Sequence, residues 1–301
     1  MKRTIVKIKN HIIEKYVVAQ RGKNKNDLSC DEANAWLAKK ITSGDPFVLT
    51  RMGYAELSFF AECDKRNLNN NNKKYKNFKM AEMFDNDAEQ IIKYLNQLKK
   101  VYSESDIQVC WYKTLAEAKL LKKYGRPEVK CTDFVLLEPF FLDNPWTKAL
   151  EGKKVLVVSP FSATIEKQYQ RIQDIYPNEF MPKFELTTVQ SVWYAPTPGK
   201  DDRFECWNDA LEYLKNEVKK KDYDIALLSC GPFGVPLLDT IYGMGKQGIY
   251  VGGALQLYFG IRGNRWDQYP AYQPLFNDNW VWPGDDNRPK GAANYEKGCY
   301  W

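Results

Sequence analysis

Residues 223–253, YDIALLSCGPFGVPLLDTIYGMGKQGIYVGG, decide the fold. The apolar run Ile225 to Leu228 breaks at Ser-Cys-Gly, a helical stretch VPLLDTIYGMG follows, and a second short run, QGIYVGG, closes the unit. Strands buried on both faces read as continuous apolar runs rather than alternations. Two such runs joined by a helix form the crossover that a parallel pair requires. The glycines at 231, 234, 252 and 253 fall where each run ends, at the edge of the expected sheet.

The same alternation extends upstream. SCDEANAWLAKKI (29–41) has Ser29 and Glu32 in capping-box spacing and puts Ala33, Trp36, Leu37 and Ile41 on one helical face. DPFVLT predicts the first strand and AELSFFAEC the helix leaving it, followed by the asparagine-rich loop RNLNNNNKKYKN. Next come a helix over 80–102, a strand at DIQVCWY, a helix at TLAEAKLLKKY, and a strand or apolar turn at DFVLLEPFF. A strand at KKVLVVSP, a helix over 164–176, a strand at KFELTTVQSV and a helix over 204–221 lead back to the opening stretch. The pattern predicts an α/β fold, a mostly parallel sheet covered by helices on both faces. From Trp266 onward the periodicity stops and an irregular, aromatic-rich C-terminal tail is expected to wrap over the body. The organisation expected is an N-terminal helical segment (1–44), an α/β domain (45–266) with a lobe boundary near 125–152, and the tail (267–301).

Composition narrows the chemistry. The 301 residues are 44% hydrophobic and 27% charged, enough for a substantial core, and the net charge of +6 is spread along the chain. That spread suits an anionic small ligand and does not argue for nucleic acid. The single histidine, His11, excludes a His-rich metal site and disfavours Ser-His-Asp chemistry. Seven cysteines, an odd number without a C-x-x-C pair, read as reduced thiols of a cytoplasmic protein. There is no apolar run of about 18 residues.

In parallel sheets ligands bind beyond the carboxyl ends of the strands, and four such ends carry candidate residues. At TRMGYAEL (50–57), Gly53 allows a sharp turn with Arg51 and Glu56 at its sides. The pair is either a rim that grips phosphate and cation or a salt bridge beside a helix cap. Ser159 and Ser162 offer hydroxyls before a helix as a phosphate grip, with Ser162 alternatively an ordinary helix cap. Gly231 and Gly234 allow close backbone approach, and Cys230 between strand and turn reads as a buried thiol. Gly252 and Gly253 precede Gln256, Arg262, Arg265 and Trp266, hydrogen-bond donors and a flat ring suited to nucleotide or sugar recognition, with Arg265 and Trp266 alternatively anchoring the tail.

FVLTRMGYAEL (47–57), KKVLVVSPFSATIEKQY (153–169), the run from Asp224 to Trp266 and the closing YEKGCYW together resemble bacterial glycosyltransferases of the GT-D type and related polysaccharide-biosynthesis proteins. The resemblance runs from about residue 45 to the C-terminus. It implies a Rossmann-like sheet, a nucleotide-sugar donor, a glycan or glycolipid acceptor, and an Asp-x-Glu motif that helps hold a divalent cation (Mn or Mg) and the donor diphosphate. The matching triplet here is Tyr54-Ala55-Glu56, which keeps the glutamate and replaces the aspartate. Another acid, Asp239 or Asp267, compensates, or Arg51 and backbone amides carry the phosphate charge alone. Under this resemblance Arg51 and Glu56 are the catalytic pair, with Glu56 the metal ligand. Gly53, Ser159, Ser162, Gly231, Gly234, Gly252 and Gly253 would contact the donor, and Gln256, Arg265 and Trp266 would line the base or sugar pocket. Peripheral association with a membrane stays open. The rival readings are a non-catalytic glycan-assembly module and a different nucleotide-dependent enzyme on the same kind of sheet.

Overall fold

A computed structural model describes residues 27–69, 79–110, 115–177, 180–194, 201–284 and 298–301. His11 and residues 70–77 of the asparagine-rich stretch lie outside the described residues. In chain order the elements are α1 (Cys30–Ser43), β1 (Phe47–Arg51), α2 (Tyr54–Lys65), α3 (Ala88–Glu104), β2 (Ile107–Cys110), α4 (Leu115–Tyr124) and β3 (Lys130–Asp133). They continue with β4 (Lys154–Ser159), α5 (Ser162–Tyr169), α6 (Ile172–Ile175), β5 (Glu185–Gln190), α7 (Trp207–Lys219) and β6 (Ile225–Leu228). The described chain then runs through α8 (Gly234–Gly243), β7 (Gln247–Tyr250), α9 (Leu255–Tyr258) and α10 (Asn264–Asp267).

The seven strands form one sheet in the order β3-β2-β1-β7-β6-β4-β5, and every pair is parallel. Side chains alternate across it and build two cores. Val48, Leu156, Val158, Ala226 and Leu228 face a layer made by α2, α3, α4, α7 and α8. Phe47, Leu49, Val155, Val157, Ile225 and Leu227 face α1, α5, α6, α9 and the tail. The fold is therefore α/β and Rossmann-like, with helices on both faces and an aromatic tail. The connection after β4 runs outward to β5, whereas the one after β6 runs the other way to β7. Adjacent strands whose connections diverge open a crevice at their carboxyl ends, and here that crevice lies between β4 and β6.

Local chemistry explains the element ends. Ser29 caps α1 by accepting from Glu32 N while Glu32 Oε2 accepts from Ser29 N (2.8 Å), and Gly44 closes the helix in the left-handed region. The helix expected over 80–102 is divided. Asp85 and Asn86 adopt positive φ, and Asp87 then caps α3 by accepting from Glu89 N (2.7 Å). DFVLLEPFF forms two 3-10 turns rather than a strand. Its carbonyls at Leu136 and Leu137 are taken by the Trp146 indole N–H and the Tyr258 hydroxyl, both at 2.9 Å, instead of by a sheet ladder. The strand sits just upstream, in β3. The helix expected over 164–176 is two helices, the break bridged by Arg171 Nε donating to Gln168 Oε1 (2.9 Å). Gln168 Nε2 also donates to Asn279 O (2.9 Å), which ties this corner to the tail.

Among the described residues no helix is long and apolar enough to cross a membrane. All seven cysteines are free thiols, and Cys63, Cys110, Cys131 and Cys230 are buried.

Candidate functional site

A cleft of about 670 Å³, counted out to its open mouth, lies over the β4–β6 crevice. β1 supplies Arg51, the turn after β4 supplies Pro160 and Phe161, and the segment after β5 supplies Ser191 to Tyr194. Ser229 to Phe233 follow β6, Tyr250, Gly252 and Gly253 end β7, and Tyr300 and Trp301 close the remaining side.

Among the described residues that line this cleft, Arg51 carries the positive charge. Its guanidinium lies over the Tyr250 ring at 5.2 Å and is packed so closely on Gly252 that any Cβ there would strike it. Gly252 also holds φ +73, a conformation that L side chains rarely adopt, so two independent reasons demand glycine. Gly231 holds φ +54, and its carbonyl accepts from the Tyr250 hydroxyl at 2.8 Å. Gly234 lies deeper, where a Cβ would meet the Tyr250 ring, and Gly253 gives the same clearance to Tyr300.

Glu56 is buried behind this rim and is not among the side chains that line the cleft. Its Oε2 accepts from Gly53 N at 2.8 Å, as the third residue of α2 reaching back to the cap, and its Oε1 accepts from the Tyr94 hydroxyl at 3.3 Å. Burial pushes its carboxyl above the ordinary range, opposed by the Arg51 charge, the Gly53 amide and the Tyr94 and Tyr250 hydroxyls. Gly53 itself has φ −68 and needs no left-handed backbone. Its missing Cβ leaves room for the Glu56 carboxylate, which would otherwise lie 2.8 Å away.

Arg51, Gly231, Gly252 and Gly253 thus meet at one cleft, with Glu56, Gly53 and Gly234 directly behind them. Ser159 is buried below, its hydroxyl accepting from Phe161 N at 3.2 Å, and the Ser162 hydroxyl is bonded to Gln190. The Gln256 amide donates to Arg262 O (2.7 Å) and Tyr300 O (3.4 Å) from a fully buried position. Arg265 stacks on Tyr300 at 4.7 Å and donates from its backbone to Cys299 O, and Trp266 is buried beside Tyr300. These three hold the tail that forms the wall. Asp239 is paired with Lys100 (2.6 Å), between α8 and α3, and Asp267 with Arg262. Among the described residues no three His, Cys, Asp or Glu side chains are grouped to hold one ion.

The aromatic wall escapes sequence reasoning. Trp193, Tyr194 and Phe161 lie in segments read as strand ends and helix starts, and only folding brings them against Trp301. Phe161 and Trp193 each sit 5.4 Å from its ring. The available signal was Trp193-Tyr194 shortly after a strand and the reversed pair Tyr300-Trp301.

No protein-family model and no curated protein matches the chain. Among solved structures it is similar to a selenomethionine-substituted domain of unknown function 1792, with 12% identity and a TM-score of 0.46 across 91% of this chain and 96% of that one.

Proposed function

We propose that the protein binds a nucleoside-diphosphate sugar in this cleft and transfers the sugar to a glycan or glycolipid acceptor. The observation that carries the reading is the convergence of the Arg51 guanidinium with the Gly231 and Gly252 turns over the crevice between β4 and β6. A departing diphosphate gains negative charge, and a fixed guanidinium with nearby amides stabilises it at no reorganisation cost. Arg51 neutralises the phosphate oxygens. Glu56 and Tyr250 hold Arg51 facing the cleft, which makes Glu56 a positioning residue in this reading.

A divalent cation fits the donor set poorly. Glu56 has both carboxyl oxygens engaged and lies behind a guanidinium, and the groups acting on it are Arg51, the Gly53 amide and the Tyr94 and Tyr250 hydroxyls rather than a second acid. Arg51 and amides are therefore assigned the phosphate charge, and no step passes through a metal ion.

The test is a panel of nucleoside-diphosphate sugars, assayed for binding by calorimetry and for hydrolysis or transfer with Mn²⁺ and with EDTA. One donor is expected to turn over in both conditions, and Arg51→Lys is expected to lower its rate by on the order of a hundredfold, since a lysine loses the forked donor geometry. Binding without turnover of any donor would assign the chain to a non-catalytic glycan-assembly module. Binding of a nicotinamide dinucleotide in place of the panel would assign it to another enzyme class.

A further inference from the structure

The cleft has a polar end and an aromatic end, and the sheet order fixes which is which. Arg51 leaves β1, with the Gly252 turn of β7 beside it, whereas Trp193 and Tyr194 leave β5 at the far edge of the sheet. With β7, β6 and β4 lying between them, the β1 and β5 backbones are about 19 Å apart at the usual strand spacing, and the two side chains reach inward from there, Arg51 onto Tyr250 and Gly252 and Trp193 onto Trp301. Half-buried Tyr300 stands over Gly253 between them, and Trp301 fills the gap behind, edge-on to both Phe161 and Trp193. Phosphate needs none of these rings, and five aromatic side chains drawn from three separate chain segments line this part of the cleft.

We propose that the ligand lies across the strand ends in one direction, its anionic group at Arg51 and a flat heteroaromatic base against Trp193 and Tyr300. This rests on the nucleotide reading above and adds its polarity and the residues that take the base. Trp193 is braced edge to face by Trp301 (78° between ring planes), so it meets a ligand without first being ordered. Tyr300 is held likewise, by the Arg265 guanidinium 4.7 Å from its ring and by close packing of its ring edge on Gly253. Every base offers a π-face, so the wall selects for a planar ring and leaves the choice among bases to hydrogen bonds.

The experiment measures calorimetric affinities of the full chain for UDP, GDP, ADP and inorganic pyrophosphate, in wild type, Trp193→Leu, Trp193→Phe and Arg51→Lys. Trp193→Leu is expected to weaken the best nucleotide about tenfold or more, the effect of losing one stacked base, and to change pyrophosphate less than twofold. Trp193→Phe should recover most of the nucleotide affinity, and Arg51→Lys should weaken nucleotide and pyrophosphate alike. Circular dichroism and the thermal midpoint establish that each variant is folded. Should Trp193→Leu spare the nucleotide, or weaken pyrophosphate equally, the assigned direction is wrong while nucleotide binding stands. Should none of the three nucleotides bind wild type, both readings fall.

Discussion

Glu56 shows how one side chain changes meaning with its surroundings. In the sequence it reads as a metal-binding or catalytic carboxylate or as half of a salt bridge beside a helix cap, yet it is folded inward, its oxygens held by the Gly53 amide and the Tyr94 hydroxyl. The charged or titratable groups around it are Arg51, Tyr94, Tyr250, Tyr102 and Cys230. Because its folded pKa is raised above the ordinary 4.5, the folded protein holds this proton more tightly than the unfolded chain. Stability from this group is therefore complete below pH 4.5 and is lost as pH rises through the folded value. Urea unfolding of wild type and Glu56→Gln across pH 4 to 8 measures this. The difference between the two should shift in favour of Gln as pH rises, whereas parallel curves would show that Glu56 does not titrate with folding. The buried acid Glu138, also raised by burial and bonded to Tyr272, is common to both proteins and cancels in the comparison.

At the scale of elements, α1 belongs to the core despite preceding the first strand. Ala33, Leu37 and Ile41 are fully buried against the face built by Phe47, Leu49 and Ile249. Leu37→Ala should cost about 2–5 kcal/mol in denaturant unfolding, as removal of a buried leucine does elsewhere. A cost below 0.5 kcal/mol would mean that α1 docks loosely. These elements were legible in the sequence because each carries its own period or cap: Ser29 with Glu32, the apolar run 225–228, the run 155–158. Arg51, Gly231, Gly252 and Gly253 were legible for a related reason, since they directly follow such runs. What stayed hidden was set by partners distant in the chain. Leu136 and Leu137 read as strand or apolar turn, a choice decided for the turn where Trp146 and Tyr258 take their carbonyls, and Trp193 looks like a strand end until Trp301 arrives beside it. Gln256, Arg265 and Trp266 were expected to line the base or sugar pocket; instead the Gln256 amide bonds the tail, Arg265 lies on Tyr300 and Trp266 packs beside it, a preference that no local pattern encodes.

At the scale of the molecule, the tail joins stability to the site. Trp301 is buried between Phe161 and Trp193, so the wall of the cleft and a corner of the second core are the same side chains. Trp301→Ala should therefore lower stability by about 3 kcal/mol and weaken nucleotide binding together, while pyrophosphate binding at Arg51 persists at temperatures where the variant stays folded. Loss of stability with nucleotide affinity intact would separate tail from cleft. The strand order carries a further consequence, for how the protein is made. β1 pairs with β2 on one side and with β7 on the other, Phe47 lying opposite Gln247. A chain emerging from the ribosome can assemble β1 to β3 early, but the central edge of that half-sheet stays bare until residues some two hundred positions later are synthesised. Such an exposed edge invites mispairing with other chains until the last strand slots into the middle.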